Sequence, residues 1–169
     1  VLEDCRIPAS AMMGAEGDGF KIAMKTLDMS RTWVGCGAVG IAQRAIDEAV
    51  AYGKQRVTFG KPILKNQALQ FMIADMEIRV ETARQMVAHA LKLMDAGLPY
   101  ARESAIAKCY AGDIAVQNAL DAIQILGGYG YSREYPVEKL LRDAKIFQIY
   151  EGTNQIQRMV IGKSVIGKL

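Results

Sequence analysis

From residue 18 to residue 126 the apolar side chains recur every three or four positions, and no run of the chain alternates apolar and polar residues in twos. The first pattern lays side chains along one face of an α-helix; without the second, a half-buried sheet has nothing to be built from. Phe20, Ala23, Met24 and Leu27, then Val34, Ala38, Ile41, Ala42, Ala45, Ile46, Ala49 and Val50, predict one very long helix, or two in line, over the proline-free residues 18–55. Gly35, Gly37 and Gly40 lie inside it at a cost of about 1 kcal/mol each relative to alanine. They point either to close approach by a ligand or another backbone, or to tight helix packing. Gly60 and Pro62, in the turn RVTFGKP, stop this helix, and Asn66 is placed to cap the next.

The second helix is carried by Leu69, Met72, Ile73, Met76, Val80, Ala83, Val87, Ala90, Leu91 and Met94, and ended by Gly97 and Pro99. Ala105, Ile106, Cys109, Ile114, Val116, Ala119, Leu120 and Ile123 supply the packing face of a third, over residues 100–126. A glycine-rich loop, a short helix over 137–142, a break at Glu151 and a last helix to residue 166 follow. The fold class is therefore all-α, an antiparallel four-helix bundle over residues 18–169. Residues 1–17, with Pro8, Gly14 and Gly17, read as an extended lead-in. The methionines are expected as gap-fillers in the core.

Composition narrows the function. A chain of 169 residues, 51% hydrophobic, can bury a core as one domain. Its net charge of +3 is small and its basic residues are scattered among acids, which argues little for nucleic acid. Cys5, Cys36 and Cys109 are far apart, none in a CxxC spacing, and His89 is the only histidine. No usual zinc pattern is present, a disulfide framework is disfavoured, and a reducing compartment is the natural expectation. The most apolar run, residues 33–42, is about half the length a bilayer requires, so no membrane span is expected. The start, VLEDCR, lacks an initiator Met and the regions of a signal peptide, and the chain reads as a piece of a longer one.

Chemistry concentrates in RDAKIFQIYEGTNQIQR, residues 142–158. Ile146, Phe147, Ile149 and Tyr150 offer an apolar wall beside Glu151; Gly152 lets the backbone turn, and Thr153 can cap a helix beginning at Asn154 and Gln155. A carboxylate partly desolvated there makes a better base near neutral pH. The plainer alternative is a solvated loop glutamate. Between the first two helices, Arg56 and Thr58 offer charge-assisted hydrogen bonds to a phosphate and Phe59 a ring face, or Arg56 is a surface ion pair. Gly127, Gly128 and Gly130 let a pyrophosphate approach the backbone, or simply end a helix; their spacing and position after a helix fail the test for a Rossmann turn. Asp28 and Arg31 flank Met29 and Ser30 in the first helix, where spacing alone assigns them nothing.

The words QILGGYG (124–130), YPVEK (135–139), RDAK (142–145) and IYEGT (149–153), in that order and close together, resemble the C-terminal region of the acyl-CoA dehydrogenases. The likeness is greatest to the medium- and short-chain type, and RVTFGK is similar to that family's RxTFGK word. The resemblance covers essentially the whole chain but only the last third or so of a family member. It implies Glu151 as the catalytic base. It further implies that Arg56, Thr58, Phe59, Gln67, Gln124, Ile125, Leu126, Gly127 and Gly128 contact FAD, the RxTFGK and glycine words reaching the flavin of a neighbouring subunit. Thr153, Asn154 and Gln155 are implied contacts to the FAD of the same subunit, and Asp28, Arg31, Tyr150 and Gly152 contacts to substrate. In the isovaleryl and long-chain members the base stands on the helix, at the position aligned with Ser30; here that position holds no carboxylate and the loop does.

The implied function is α,β-dehydrogenation of an acyl-CoA thioester to a trans-2-enoyl-CoA, in fatty-acid oxidation, with FAD as cofactor and electron-transfer flavoprotein as acceptor. The implied assembly is a dimer of dimers. The implied location is the cytoplasm of a bacterium or the mitochondrial matrix of a eukaryote. The piece alone is expected to fold, to bind FAD weakly and to be inactive. A non-catalytic helical module for assembly, and an acyl-CoA oxidase relative, are the alternatives.

Overall fold

The computed structural model describes residues 1–168. The first helix, α1, runs unbroken from Gly19–Gln55, so the glycines inside it do not divide it. A two-residue antiparallel ladder, β1 (Val57–Thr58) on β2 (Lys61–Pro62), leads into α2 (Gln67–Asp95). Helix α3 (Ala101–Leu126) is followed by a single turn α4 (Gly128–Tyr131), then α5 (Val137–Ile146) and α6 (Asn154–Ile166). The ladder is the only sheet among the described residues, and no sequence period announced it. It exists because Phe59 and Gly60 both take positive φ, +50° and +76°, as the tightest hairpin turns require.

Directions follow from which residues meet. Gly35 of α1 faces Val87 of α2 and the backbone of Ala107 in α3, while further along Arg79 of α2 bonds Asn118 and Asp121 of α3. Helices α1 and α3 therefore run the same way, with α2 antiparallel to both. The fourth position belongs to α5, which returns along α3 from Tyr135, set edge-on to Tyr52, to Phe147, set over Gly37 and Gly112. Helix α6 then packs on the outside of α3, which touches every other helix.

Alanine dominates the buried apolar residues: Ala38, Ala42, Ala45 and Ala49 on α1 lie among Ala107, Ala111, Ala115, Ala119 and Ala122 of α3 and Ala83 and Ala90 of α2. Small residues let helix axes approach closely, and the larger Met76, Val80, Ile46 and Ile114 fill what remains. Of the glycines in α1, Gly35 and Gly37 serve this packing, since a Cβ would lie 3.1 Å from Val87 and 3.0 Å from Phe147; Gly40 faces open space. The start of α1 departs from the expected core. Phe20 and Met24 keep the helical period yet remain exposed, because α1 is 37 residues long against 29 and 26 in its neighbours and its first turns have no helix beside them; Leu120, in the second half of α3, is also exposed. Residues 1–17 form an irregular lead-in with one short 3-10 turn at Ala9–Ala11 and a second turn just before α1, where Gly14 and Gly17 take positive φ. Among the described residues no helix is long and apolar enough to cross a membrane.

Gly130 shows how tightly the helix end is built, since a Cβ there would lie 2.6 Å from the carbonyl oxygen of Ile123. Gly130→Ala is expected to lower stability by about 1–3 kcal/mol in chemical denaturation. Gly128→Ala, where nothing lies within 4 Å, should change it by no more than about 0.5 kcal/mol.

Candidate active site

The seven residues that join α5 to α6 carry Glu151 on an unusual backbone. Glu151 and Gly152 take consecutive positive φ values, +56° and +85°, and for a residue with a Cβ that conformation costs on the order of 1–3 kcal/mol. It persists because groups behind the loop hold it. Lys108, wholly buried in α3, donates from Nζ to the Gly152 carbonyl at 2.8 Å and to Asn154 Oδ1 at 2.9 Å. The Asn154 amide in turn donates to the Cys109 carbonyl at 3.0 Å and to Asp113 at 2.8 Å. From α6, the buried Gln157 donates to the carbonyls of Glu151 (3.2 Å) and Gly152 (3.0 Å). Gly112 opens a notch in α3 for the Phe147 carbonyl, which would lie 3.0 Å from a Cβ. Thr153 caps α6 as expected, accepting from the Ile156 N–H at 3.3 Å. Burial holds the Lys108 pKa below the ordinary lysine value; Cys109, Asp113 and Glu151 oppose that shift.

The Glu151 carboxylate is half-buried and accepts a hydrogen bond from the Ser30 hydroxyl of α1. The two positions expected to be alternative homes for the base thus adjoin one another. Beside Ser30, Arg31 is buried and turned back on its own helix, pairing with Asp28 at 3.3 Å and donating to the Leu27 carbonyl at 3.0 Å; its Nη1 has no partner. The apolar wall is smaller than expected. Phe147 packs against the bundle with Tyr150 edge-on at 5.5 Å, but Ile146 and Ile149 point outward and are about half exposed. The loop turns through too few residues to bring all four to one side. Burial, then the nearby Glu151 charge, raises the Tyr150 pKa.

A second cluster forms at the hairpin. Arg56 and Thr58 line an open cleft of about 580 Å³ together with Ile125, Leu126, Gly127 and Gly128, and the Arg56 guanidinium lies 5.9 Å from the centre of the Tyr129 ring. Phe59 stands fully exposed at the hairpin tip; Gln67, at the start of α2, and Gln124, in the last turn of α3, are exposed as well. Thr153 and Gln155 border a separate shallow cleft beside the Glu151 loop. One expected ligand contact is corrected: the Asn154 side chain is buried with both ends of its amide engaged inside the bundle, so it holds the loop rather than facing a cofactor. Lys108, Asp113 and Gln157 escaped the sequence reading. For Lys108 a signal existed, a lysine in register with the alanine stripe of α3.

The two clusters do not meet within one chain. Ser30, at the Glu151 loop, and Arg56, at the hairpin, are separated along α1 by roughly 39 Å at 1.5 Å per residue.

Comparison with known proteins agrees with this fold. The family model for the acyl-CoA dehydrogenase C-terminal domain matches residues 17–166. An acyl-CoA dehydrogenase of Bacillus subtilis is 51% identical over 99% of this chain and 44% of its own length, and a short-chain-specific acyl-CoA dehydrogenase of Megasphaera elsdenii is 51% identical over 98% and 43%. The solved structure of butyryl-CoA dehydrogenase from Megasphaera elsdenii superposes with a TM-score of 0.97 at 50% identity, over 99% of this chain and 44% of that one. The all-α bundle is the fold of the C-terminal domain of such enzymes. The chain belongs to the acyl-CoA dehydrogenase family, and it spans less than half the length of these relatives.

Because Lys108 is held below its ordinary pKa in the folded state, the unfolded chain binds that proton more tightly. Stability should rise with pH from the folded value up to about 10.4, the unfolded one. Chemical denaturation of the wild type and Lys108→Met across alkaline pH checks this: the variant should show a smaller upward slope in that window and lower stability throughout.

Proposed function

We propose that the protein of which this chain is part removes the α-proton and β-hydride of an acyl-CoA thioester, with Glu151 as the base. The carrying observation is the half-buried Glu151 carboxylate, held on a left-handed turn and braced from behind. Its backbone N–H donates to no main-chain carbonyl among the described residues. It is therefore available to a thioester oxygen as negative charge develops there, an oxyanion-type contact worth several kcal/mol. A carboxylate alone is too weak a base for an unassisted thioester α-proton, so base and donor must act together, and here they belong to the same residue. The relatives of known name favour a short, straight acyl chain.

The residues present fit a flavin dinucleotide. Arg56 supplies a guanidinium with no carboxylate partner among the described residues, Thr58 a hydroxyl, and Gly128 an approach with nothing within 4 Å of where a Cβ would stand. When bound, FAD supplies the acceptor for the β-hydride. Arg56, Thr58, Gly127 and Gly128 would hold its phosphate half, with Thr153 and Gln155 serving from the loop side. Ser30, which meets the Glu151 carboxylate, stands roughly 39 Å along α1 from Arg56, a separation that calls for a second copy, so that the hairpin of one subunit would complete the site of another. Electron-transfer flavoprotein is the proposed acceptor of the electrons.

The test is anaerobic addition of butyryl-CoA and octanoyl-CoA to the full-length protein, following the visible flavin band. Glu151→Gln should retain flavin and substrate binding yet bleach at least about 100-fold more slowly; wild-type bleaching in the variant would overturn the assignment of the base. Bound flavin that no acyl-CoA bleaches would indicate other chemistry, and no bound flavin an assembly module. For the shared site, Glu151→Gln and Arg56→Ala proteins that are each inactive should regain activity when co-assembled, because mixed pairs contain one intact site. No recovery in demonstrated mixed assemblies would refute the two-copy arrangement.

A further inference from the structure

We propose that Lys108 is a positioning residue for Glu151, setting the place of the carboxylate through the Gly152 carbonyl and the Asn154 amide; the inference rests on Glu151 being the base. Lys108 is the bulkiest wholly buried side chain among the described residues and lies on a stretch of α3 whose other buried residues are small: Ser104, Ala105, Ala107, Cys109, Ala111 and Gly112. A buried ammonium is costly unless its protons are matched, and its two acceptors, at 2.8 and 2.9 Å, both belong to the segment carrying Glu151. One is the peptide carbonyl directly after Glu151. The other is the side chain of the first residue of α6, which is itself tied back to α3 at Cys109 and Asp113. Two consecutive left-handed residues relax unless their surroundings over-determine them. Gln157 also grips the Gly152 carbonyl, together with that of Glu151, from α6, the helix the loop leads into, whereas Lys108 reaches the loop from the helix that touches all the others. Lys108 thus references the loop to the rigid frame, and Ser30 meets the carboxylate from α1.

Loss of this reference should displace the base without emptying the site. In the full-length enzyme, Lys108→Met and the milder Lys108→Gln are compared with Arg79→Met, which breaks the α2–α3 pair to Asn118 and Asp121 far from the loop. Expected for either Lys108 variant is wild-type flavin content, a KM for butyryl-CoA within about 3-fold, and single-turnover bleaching slowed about 10- to 100-fold. The acid limb of its pH–rate profile should move, and hydrogen exchange should quicken at residues 148–154. Arg79→Met should lose thermal stability while bleaching within about 3-fold of wild type. A folded Lys108 variant that bleaches at the wild-type rate, or an Arg79→Met protein slowed as much, would overturn the proposal. If Lys108→Met does not fold, Lys108→Gln decides by the same criteria. Glu151→Gln in the same assay separates the two claims: if it bleaches normally, the assignment of the base has failed rather than that of its positioning residue.

Discussion

The close seam between α1 and α3 governs what the rest of the molecule can be. With alanine or glycine at most of the contact positions, the helices approach until little volume remains between them, and packing at that density leaves no slack for misplaced atoms. Apolar area per residue is modest in such a seam. Fit rather than bulk must supply the stability: a Cβ at Gly35 would lie 3.1 Å from Val87 and 3.7 Å from the Ala107 backbone. It also means that any polar side chain inside must find its partners at fixed places.

Four do so. Asn118 bonds the Met76 carbonyl and Arg79, and joins α2 to α3. Lys108, Asn154 and Gln157 form the other group, and their partners are carbonyls and side chains of the Glu151 loop and the helix behind it. Unpaired, each would carry a desolvation penalty of about 1–3 kcal/mol or more; paired, they tie a strained turn to the least mobile part of the bundle. The loop is thereby one of the better determined parts of the fold, although it has no regular structure. Preorganisation of this kind lets a side chain act without first being ordered.

The length of α1 separates the two clusters that bear chemistry. A helix that projects past its neighbours exposes Phe20 and Met24 at one end and carries the hairpin, with its bare Phe59, at the other. A single copy leaves both ends unfinished. The proposed function accordingly depends on assembly, and the hairpin reads as a device for reaching a neighbour rather than for closing its own chain.

Much of this was legible in the residues. The helical period, with Gly60, Pro62, Gly97 and Pro99 as stops, determined three long helices and their order, because burial of one face is a local property repeated along the chain. The words around Glu151, Arg56 and Gly127 marked the candidate residues for the same reason, each being a short contiguous stretch. What the sequence left undecided was decided by residues meeting from far apart. Lys108 stood in register with the alanine stripe of α3, yet only the Glu151 loop supplied the acceptors that let a lysine be buried there, and Asn154 looked like a ligand contact until Asp113 and Cys109 claimed its amide. Phe20 looked like core until α1 outran its partners. Position along the chain determines which face a side chain shares; only tertiary packing determines whether anything lies opposite that face, and there the hydrogen bonds of a buried ammonium found their acceptors.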